Sequence, residues 1–325
     1  MKLKNIKKIL ITGGCGFVGS HLSEYLFFKY KKAEIIVYDK ITYAASISNL
    51  NKIIKNKRVL LIKKDICNLK DLIKYSKNVD LLLHLAAESH VDNSFHLSEK
   101  FISTNVLGTK NVMEASLINK VKKVIHISTD EVYGEISKGS FKENNRMNPS
   151  NPYSSSKAAA EMIVSGYIHS YSLPVIVLRP NNIYGNRQHP EKLISGCCWC
   201  FAKNKKFSLH GNGFQKRTYL HVKDFCRGVD ILINKGKIYN TYNIGTRQEY
   251  TNKNIVSMVA KKMQRNFNRS VLYVKDRLFN DARYSVDYTK IKKLGWKPLL
   301  NIESSLSEII SWNMRNHKLF NRDHL

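Results

Sequence analysis

The sequence has no long apolar run, few cysteines and few acidic residues, and each shortage excludes a class of protein. No apolar run approaches the ~20 residues that a membrane-spanning helix needs, so we expect no membrane partner. The basic start of the chain, Met1–Asn5, leads into a short strand without a small-residue cleavage site. We therefore expect no signal peptide and a cytoplasmic location.

Cysteine is scarce, with six residues in a chain of 325. Without a secretion signal, this number does not indicate a disulfide framework. Three of them, Cys197, Cys198 and Cys200, cluster in a predicted helix after Pro190. No second cysteine pair or histidine stands at zinc-ligand spacing from this cluster, so we expect no metal site. The sequence indicates no other function for the three thiols.

Acidic residues are also scarce, since 25 Asp and Glu stand against 54 Lys and Arg, a formal net charge of +29. Such an excess is typical of nucleic-acid-binding proteins when it is gathered into one arm or stripe. Here the lysines are spread over the whole chain, so we expect no nucleic-acid partner. A diffusely positive surface would still attract an anionic nucleotide substrate.

What the sequence does contain begins with a glycine-rich stretch, Thr12–Ser20, directly after the apolar strand Lys8–Ile11. Its glycines Gly13, Gly16 and Gly19 fit a tight turn, close approach of the backbone to a pyrophosphate, and close packing of the next helix on a sheet. The N-terminal N–H groups of that helix would face the phosphates. Turns in general collect glycine, so the flanking elements decide the interpretation.

A second predicted strand, Glu34–Tyr38, follows the glycine-rich stretch and ends at Asp39. A carboxylate at this point can hydrogen-bond the ribose hydroxyls of NAD and would repel the 2′-phosphate of NADP. The neighbouring Lys40 weakens that repulsion. We therefore predict a dinucleotide site with NAD as the cofactor.

Predicted strands and helices alternate along the first half of the chain. Apolar, β-branched runs predict strands at Val59–Ile62, Val79–Leu85 and Val121–Ile127, and a long helix is predicted at Ser98–Asn119. Such alternation is typical of an α/β fold with a doubly wound parallel sheet of the Rossmann type. The pattern loosens after the strand Leu173–Leu178, and a chain of 325 residues, 43% of them hydrophobic, has room for a smaller C-terminal lobe.

The stretch Ser128–Gly134, directly after the strand Val121–Ile127, is where we expect the chemistry to occur. In an open parallel sheet, ligands bind beyond the carboxyl ends of the strands. Thr129, Asp130 and Glu131 stand there, and two adjacent carboxylates beside a hydroxyl can act as an acid/base pair. The alternative is an ordinary turn, since Asp, Thr and Gly all favour turns.

A tyrosine and a lysine share one face of the next predicted helix, which begins near Pro152. A lysine ammonium near a phenol lowers the phenol's pKa, so Tyr153 beside Lys157 could take a proton from a sugar hydroxyl. The spacing alone is a weak signal, because three other pairs share it: Tyr25/Lys29, Tyr219/Lys223 and Tyr288/Lys292. The position of Tyr153 after the strand that leads to Thr129–Glu131 singles it out.

Ten short stretches, which together run through nearly the whole chain, match a known family in the family's order. They are TGGCGFVGS at 12–20, YDKITYA at 38–44, HLAAESHVDNS at 84–94, STDEVYGE at 128–135, NPYSSSKAAAE at 151–161, NNIYGNRQHPEKLI at 181–194, GNGFQKRTYLHVKD at 211–224, YNIGT at 242–246, DRLFNDARY at 276–284 and LGWKP at 294–298. The chain resembles the extended short-chain dehydrogenase/reductase superfamily and, within it, the nucleoside-diphosphate-glucose 4,6-dehydratases. Sister 4-epimerases and decarboxylases typically lack the Thr-Asp-Glu run and the PEKLI element.

The resemblance implies a dehydratase that keeps NAD bound through its cycle. Tyr153, helped by Lys157, would take the C4 hydroxyl proton of glucose while the C4 hydride goes to NAD. Glu131 would then remove the C5 proton, and a protonated Asp130 would donate to the C6 hydroxyl as it leaves as water. The hydride would return to C6 and a proton to C5 to give a 4-keto-6-deoxy sugar, with Thr129 hydrogen-bonded to the C4 oxygen. Like charges placed close together favour this division into one acid and one base.

The resemblance also implies two sets of binding residues. The cofactor set is Gly13, Gly16, Phe17, Val18, Gly19, Asp39, Lys40, Thr42, Asp65, Ile66, Leu85, Ala86, Ala87, Ser89, Thr104, Tyr153 and Lys157. The substrate set is His90, Thr129, Asn182, Glu191, Lys192, Leu193, Arg217, Asn243, Asp276, Arg277, Asn280 and Tyr284. Taken alone, His90 is better interpreted as an ordinary loop histidine, whereas the planar guanidinium of Arg217 suits a phosphate.

The same resemblance divides the chain into two parts and predicts a homodimer. Residues 1–180 form the NAD-binding Rossmann domain, to which 218–246 returns as a strand–helix–strand excursion, and 181–217 with 247–325 form the nucleotide-sugar lobe. Helices around 98–119 and 152–171 would form the dimer interface.

The base of the nucleotide substrate stays open. Leu278–Asp281 replaces the Gly-His pair typical of bacterial deoxythymidine-type enzymes and is closer to eukaryotic relatives, including plant UDP-glucose 4,6-dehydratases, whereas HLAAESHVD and LGWKP look bacterial. Discrimination between the two bases needs only one or two pocket contacts. We predict the deoxythymidine substrate, with UDP-glucose and, less favoured, a 4-epimerase reaction as alternatives.

Overall fold

The computed structural model describes residues 5–319 of the chain. Its strands are β1 (Lys8–Thr12), β2 (Glu34–Asp39), β3 (Val59–Lys63), β4 (Leu81–His84), β5 (Lys123–Ile127), β6 (Val175–Pro180), β7 (Asn182–Tyr184), β8 (Phe207–His210), β9 (Lys216–His221), β10 (Asn240–Ile244), β11 (Glu249–Thr251) and β12 (Val271–Val274).

The α-helices alternate with these strands through the first half of the chain. They are α1 (Phe17–Lys29), α2 (Leu69–Tyr75), α3 (Val91–His96), α4 (Ser98–Phe101), α5 (Gly108–Ile118), α6 (Pro152–Tyr171), α7 (Leu193–Ala202), α8 (Val222–Lys235), α9 (Asn252–Lys262), α10 (Phe267–Ser270), α11 (Thr289–Lys292) and α12 (Ile302–Asn316). Between residues 5 and 319, no helix combines the length and the apolar character that crossing a membrane requires.

The main sheet is parallel and has the strand order β10-β6-β5-β4-β1-β2-β3. Its central strands are apolar throughout, as expected for a sheet covered by helices on both faces; Leu81–His84, for example, is buried along its whole length. The strand order reverses between β1 and β4, and a crevice opens at such a switch point. The predicted doubly wound Rossmann sheet is therefore confirmed.

Helices cover this sheet on both faces. On one face, α1 and α8 bury Leu22, Leu26 and Phe225 against it. On the other face, α5 and α6 contribute Val112 and Val164 to a second apolar layer. The two layers fix the strand ends that carry the functional side chains.

The single long helix predicted at Ser98–Asn119 has three parts. Between α4 and α5 lies a π-helical segment, Ile102–Leu107, in which the backbone is wider than in an α-helix. Such segments occur frequently at functional sites. Thr104, in the middle of this segment, lines the cavity described below.

The cysteine cluster belongs to the apolar core of the C-terminal half of the chain. Helix α7, which is confirmed as the predicted helix after Pro190, packs on α9 and α12. Cys197, Cys198 and Trp199 are buried there among residues such as Val256 and Leu306. Burial raises the pKa of Cys198 to about 12, so its thiol is neutral. The structure therefore explains the cluster as core packing.

The predicted strand–helix–strand excursion is present as β9, α8 and β10, but only β10 joins the main sheet. It pairs with β6 at the sheet edge, whereas β9 lies in a small three-stranded sheet between β7 and β11. The bounds of the two predicted domains stay a prediction, and their outermost residues, 1–4 and 320–325, lie outside the described residues.

Candidate active site

A cavity of about 1070 Å³ opens at the carboxyl ends of β1, β4, β5 and β6. All predicted cofactor residues lie on its wall, as do most predicted catalytic and substrate residues. The catalytic and substrate residues on the wall are His90, Thr129, Glu131, Tyr153, Lys157, Asn182, Glu191, Lys192, Leu193, Arg217, Arg277, Asn280 and Tyr284. Three predicted residues do not line it: Asp130, Asn243 and Asp276.

The glycine-rich stretch makes the sharp turn from β1 into α1. Gly13 has φ +71°, and a Cβ there would lie 2.8 Å from the backbone of Ala86. A Cβ on Gly19 would lie 2.0 Å from the carbonyl oxygen of Gly13, so α1 can approach the turn only without a side chain at this position. The first N–H groups of α1, which begins at Phe17, are thereby placed at the cavity.

Asp39 ties the glycine-rich stretch to the end of β2. Its carboxylate accepts hydrogen bonds from the N–H groups of Cys15, at 2.8 Å, and Ile41, at 2.7 Å. The neighbouring Lys40 ammonium lies 2.6 Å from the carboxylate of Asp65. Since Lys40 is paired in this way, it offers less attraction to the 2′-phosphate of NADP than a lysine without a partner would offer.

Thr129, Asp130 and Glu131 follow β5, where a short 3₁₀ turn begins. The Thr129 hydroxyl accepts a hydrogen bond from the N–H of Glu131 at 3.3 Å and lies 3.4 Å from Asp130 Oδ1. The Asp130 carboxyl is almost fully buried, and its Oδ2 accepts a hydrogen bond of 3.0 Å from the side chain of Asn181. Asp130 therefore does not line the cavity itself but contacts Thr129, which does.

Both carboxyl groups of this turn have raised pKa values. Burial, supported by the charge of Glu131, raises the pKa of Asp130 to about 7, even though the Asn181 hydrogen bond lowers it. Burial also raises the pKa of Glu131, against the opposing charges of Arg217 and Lys192. Near neutral pH, Asp130 can therefore hold a proton next to an acceptor carboxylate, as an acid/base pair requires.

The predicted lowering of the Tyr153 pKa by Lys157 is wrong for the protein without a ligand. Burial and the charges of Glu131 and Asp130 raise the pKa of Tyr153 well above its ordinary value, and only a hydrogen bond with Thr129 opposes them. The Lys157 ammonium donates to the carbonyl oxygen of Ile127 at 2.8 Å. Burial lowers the pKa of Lys157 to about 8.

Arg217 extends from β9 toward the carboxylates. Its guanidinium lies 4.5 Å above the ring of Tyr284 and donates to Asn280 Oδ1 at 3.2 Å. These contacts leave a cation at the cavity wall, where an anionic phosphate group can bind.

Glu191 and Lys192 precede α7. The Glu191 side chain is buried, and its Oε2 has no hydrogen-bond partner in the structure. Burial alone would raise the pKa of Glu191, but the charge of Lys192 and the nearby His189, whose Nδ1 lies 3.5 Å from Oε2, outweigh it and hold the pKa well below its ordinary value. Nearby His90 is kept neutral because burial lowers its pKa, and its Nδ1 is also unpartnered. Unpartnered buried polar atoms on a cavity wall are suited to ligand contacts.

Asp276 was predicted to contact the substrate, and this contact stays a prediction. Its side chain does not line the cavity and holds the loop together, accepting hydrogen bonds from Gln215, Asn280 and the N–H of Arg277. Arg277 itself lines the cavity and pairs with Asp92 of α3, with Nε 2.6 Å from the carboxylate.

Asn243 was also predicted to contact the substrate, and this contact stays a prediction, because the structure places Asn243 outside the cavity wall. It lies within β10 and is fully buried, with its Oδ1 bonded to the Tyr133 hydroxyl at 2.9 Å. Its Nδ2 donates to the carbonyl oxygens of Phe141 and Asp287. Because both ends of the amide are used in this way, no polar atom of Asn243 is left for a ligand.

Three residues around the carboxylates were missed by sequence reasoning. Asn181 contacts Asp130, Asn151 hydrogen-bonds Glu131 and caps the start of α6, and Asp281 accepts hydrogen bonds from the Ser150 hydroxyl. Asn181 had a usable signal, since it comes shortly after the predicted strand Leu173–Leu178.

A family model described as GDP-mannose 4,6 dehydratase matches residues 10–309. The chain belongs to this family. The predicted membership of the 4,6-dehydratases is thereby confirmed. The match covers the glycine-rich stretch, the Thr129–Glu131 turn and the Tyr153/Lys157 pair, which the structure brings to one cavity.

Three relatives illustrate the similarity within the GDP-mannose 4,6 dehydratase family. The dTDP-D-glucose 4,6-dehydratase of Dictyostelium discoideum is 39% identical, over 97% of this chain and 83% of that protein. A trifunctional UDP-glucose 4,6-dehydratase of Arabidopsis thaliana is 38% identical over 95% of this chain, which spans 47% of that protein. The crystal structure of DesIV, a dTDP-glucose 4,6-dehydratase from Streptomyces venezuelae with NAD and TYD bound, has a TM-score of 0.94 at 34% identity, covering 97% of this chain and 99% of that chain.

Proposed function

We propose that the chain is an NAD-dependent dTDP-glucose 4,6-dehydratase, which converts dTDP-glucose to dTDP-4-keto-6-deoxyglucose and water. The observation that carries the proposal is the pair Asp130 and Glu131 beside Tyr153, at the cavity that the glycine-rich stretch enters. A buried acid with a pKa of about 7 next to a carboxylate base suits the removal of water from neighbouring carbons.

The catalytic side chains divide the reaction among them. Tyr153 takes the C4 hydroxyl proton, and Thr129 hydrogen-bonds the C4 oxygen. Once C4 is a ketone, the adjacent C5–H is acidified, and Glu131 removes that proton. Asp130 donates its proton to the C6 hydroxyl as it leaves as water, so one proton is taken and one is given within a single site.

The residues at the cavity fit NAD. Gly13 and Gly19 allow the tight turn because they carry no Cβ. The N–H groups at the start of α1 can donate to the phosphates, and the Asp39 carboxylate can accept from the ribose hydroxyls. When bound, NAD supplies the acceptor for the C4 hydride and the donor of hydride to C6. Tyr153, Lys157 and Thr104 line the same cavity and would contact the bound cofactor.

The base of the substrate is tested by incubating the protein with dTDP-glucose and UDP-glucose separately and following each by mass spectrometry. Loss of one water from dTDP-glucose, faster than from UDP-glucose, supports the proposal. Faster loss from UDP-glucose moves the proposal to the UDP-glucose enzyme, as in the plant relative. If neither mass changes with NAD supplied, the dehydratase proposal fails and epimerisation is examined next.

The turnover rate is expected to depend on pH through the two carboxyl groups. Asp130 must be protonated to donate, so kcat for water loss falls above about pH 7, by about tenfold per pH unit. Glu131 must be ionised to accept a proton, so kcat also falls on the acid side, below its raised pKa. Steady-state kinetics from pH 5 to 9 check both limbs. In Asp130→Asn, the residual rate should show no decline on the alkaline side, and persistence of that decline contradicts the assignment.

A homodimer is the assembly we propose, with α4 to α6 at its interface. These helices and the segments beside them carry several exposed apolar side chains: Leu97, Ile102, Leu107, Ile118, Met162 and Tyr171. Exposed apolar surface is typical of protein interfaces when it forms a patch. Size-exclusion chromatography with light scattering should give twice the chain mass of 37.5 kDa at micromolar concentration.

A charged substitution on the proposed interface should separate the two chains. Met162→Lys is expected to give monomers, whereas Leu299→Lys, an equally exposed apolar position outside these helices, should leave the dimer intact. A wild-type protein that is monomeric at micromolar concentration contradicts the proposal.

The cellular location and the absence of a nucleic-acid partner were inferred from the start of the chain and from the spread of its lysines, and both stay predictions. We propose a cytoplasmic location, which subcellular fractionation tests, and no nucleic-acid partner, which a salt-dependent binding assay with duplex DNA tests. The diffuse positive charge is instead expected to speed the encounter with the anionic nucleotide sugar, an effect that weakens as salt is added.

A further inference from the structure

Asn181 stands at the junction of the main sheet and the substrate side, directly after β6. Its N–H donates to the carbonyl oxygen of Ile244 at 3.0 Å, which ties its backbone to the end of β10. The residue is almost fully buried, so water does not compete for its side-chain amide. Its position is therefore set by two adjacent strands of the sheet.

The orientation of the Asn181 amide is fixed by a backbone donor. The N–H of Thr246 donates to Asn181 Oδ1 at 2.9 Å. A backbone N–H can only donate, so the atom that faces it must be the oxygen, and the NH₂ group must point the other way. That NH₂ group donates to Asp130 Oδ2 at 3.0 Å.

Gly245 gives the amide the space it needs. A Cβ on Gly245 would lie 1.6 Å from Asn181 Oδ1, a distance that no pair of atoms without a covalent bond can adopt. The chain thus presses its backbone at Gly245 and Thr246 directly onto the amide oxygen. No side chain could be added here without moving the amide away from Asp130.

The contact with Asn181 decides which oxygen of Asp130 carries its proton. Oδ2 accepts a hydrogen bond from Asn181, and in a carboxylic acid the carbonyl oxygen accepts better than the hydroxyl oxygen, so the proton of a protonated Asp130 is favoured on Oδ1. Oδ1 is the oxygen 3.4 Å from the Thr129 hydroxyl, which lies on the cavity wall. The proton is thereby kept on the side from which a substrate hydroxyl can be reached.

We propose that Asn181 is a positioning residue that confines the acidic proton of Asp130 to Oδ1 and so aims it at the leaving hydroxyl. The inference rests on the proposed function, in which Asp130 is the acid. Asn181 does not donate a proton itself and acts through Asp130. Its effect should fall on the water-loss step and not on substrate binding or on oxidation at C4.

Asn181→Asp tests the proposal with almost no change in shape. The new carboxylate still accepts from the Thr246 N–H, but its other oxygen has no hydrogen and attracts the Asp130 proton to Oδ2, away from the cavity. We expect kcat for water loss to fall about a hundredfold with KM nearly unchanged. Because Tyr153 still acts, the absorbance of reduced nicotinamide should accumulate after substrate is added. A kcat close to that of the wild type overturns the proposal.

Asn313→Asp is the matched control. Asn313 is equally buried, in α12, and its Nδ2 donates to a carbonyl oxygen at 2.9 Å, outside the cavity. It should reproduce any general effect of a buried carboxylate on the unfolding temperature while leaving the oxidation and water-loss steps in their wild-type ratio. An equal accumulation of reduced nicotinamide in this variant would show that Asn181→Asp acts through the fold and overturn the proposal.

An infrared measurement on the protein without substrate tests the same contact independently of turnover. The C=O stretch of protonated Asp130 is identified as the band lost in Asp130→Asn, and the Asn181 donor should hold it at low frequency. In Asn181→Ala the band should move to higher frequency, and an unmoved band overturns the proposal. If the wild type releases no water from either substrate, the proposed function fails, whereas the infrared result still decides the contact.

Discussion

Glu131→Gln is expected to stop the reaction after C4 oxidation, with water loss slowed about a thousandfold. An amide of the same shape cannot take the C5 proton, whereas Tyr153 and the cofactor site are unchanged. Mass spectrometry of the sugar nucleotide measures the loss of water. Run in deuterium oxide, the same experiment should show one deuterium entering C5 of the wild-type product and none entering the sugar with the variant.

Glu308→Gln is the control for removing one negative charge. Glu308 is exposed on α12 and lies outside the cavity, so its turnover should match that of the wild type. Unimpaired water loss by Glu131→Gln would refute the role of Glu131 as base. If the variant instead interconverts C4 epimers at the wild-type rate, the chain is a 4-epimerase, since an epimerase needs Tyr153 and Lys157 but not both carboxylates.

Tyr153→Phe is expected to lower the rate of C4 oxidation about a thousandfold, because it removes the only group assigned to the C4 hydroxyl proton. Tyr153 can take that proton only as the phenolate, so it must lose its own proton before C4 oxidation, and burial with two carboxylates opposes this loss in the protein without ligand. Stopped-flow absorbance of reduced nicotinamide measures this step directly. Binding of the nucleotide sugar, measured by calorimetry, should change little.

Tyr25→Phe is the matched control for this variant. Tyr25 and Lys29 have the same spacing on α1, but neither lines the cavity. Its oxidation rate should equal that of the wild type. A Tyr153→Phe rate within threefold of the wild type would contradict the role of the phenol and require another base.

The parts of the site that could be predicted from the sequence are those whose physical requirement is local. Gly19 illustrates this, because a Cβ there would meet the carbonyl oxygen of Gly13, a few residues earlier in the same turn. The strand Glu34–Tyr38 ends where its apolar run ends, which places Asp39 at the cavity. The turn Thr129–Glu131 was found in the same way, from the end of an apolar run.

The parts that could not be predicted depend on contacts between distant segments. Asn181 and Asp130 are 51 residues apart, and they meet because β5 and β6 are neighbours and both end at the cavity. Asn243, like Asn181, stands near the end of a strand of the main sheet. It lies within β10, however, and its Nδ2 donates to the carbonyl oxygens of Phe141 and Asp287. The pKa of Tyr153 was predicted in the wrong direction, because the one-turn spacing from Lys157 does not reveal how deeply the phenol is buried.

The most direct test of the account is the fate of a deuterium at C4 of dTDP-glucose. We predict that the product is lighter than the substrate by one water and carries the deuterium at C6, since the hydride leaves C4 and returns within one active site. Fragmentation by tandem mass spectrometry locates the label. A dehydrated product that has lost the deuterium, or a substrate mass that stays unchanged in the presence of NAD, would contradict the account.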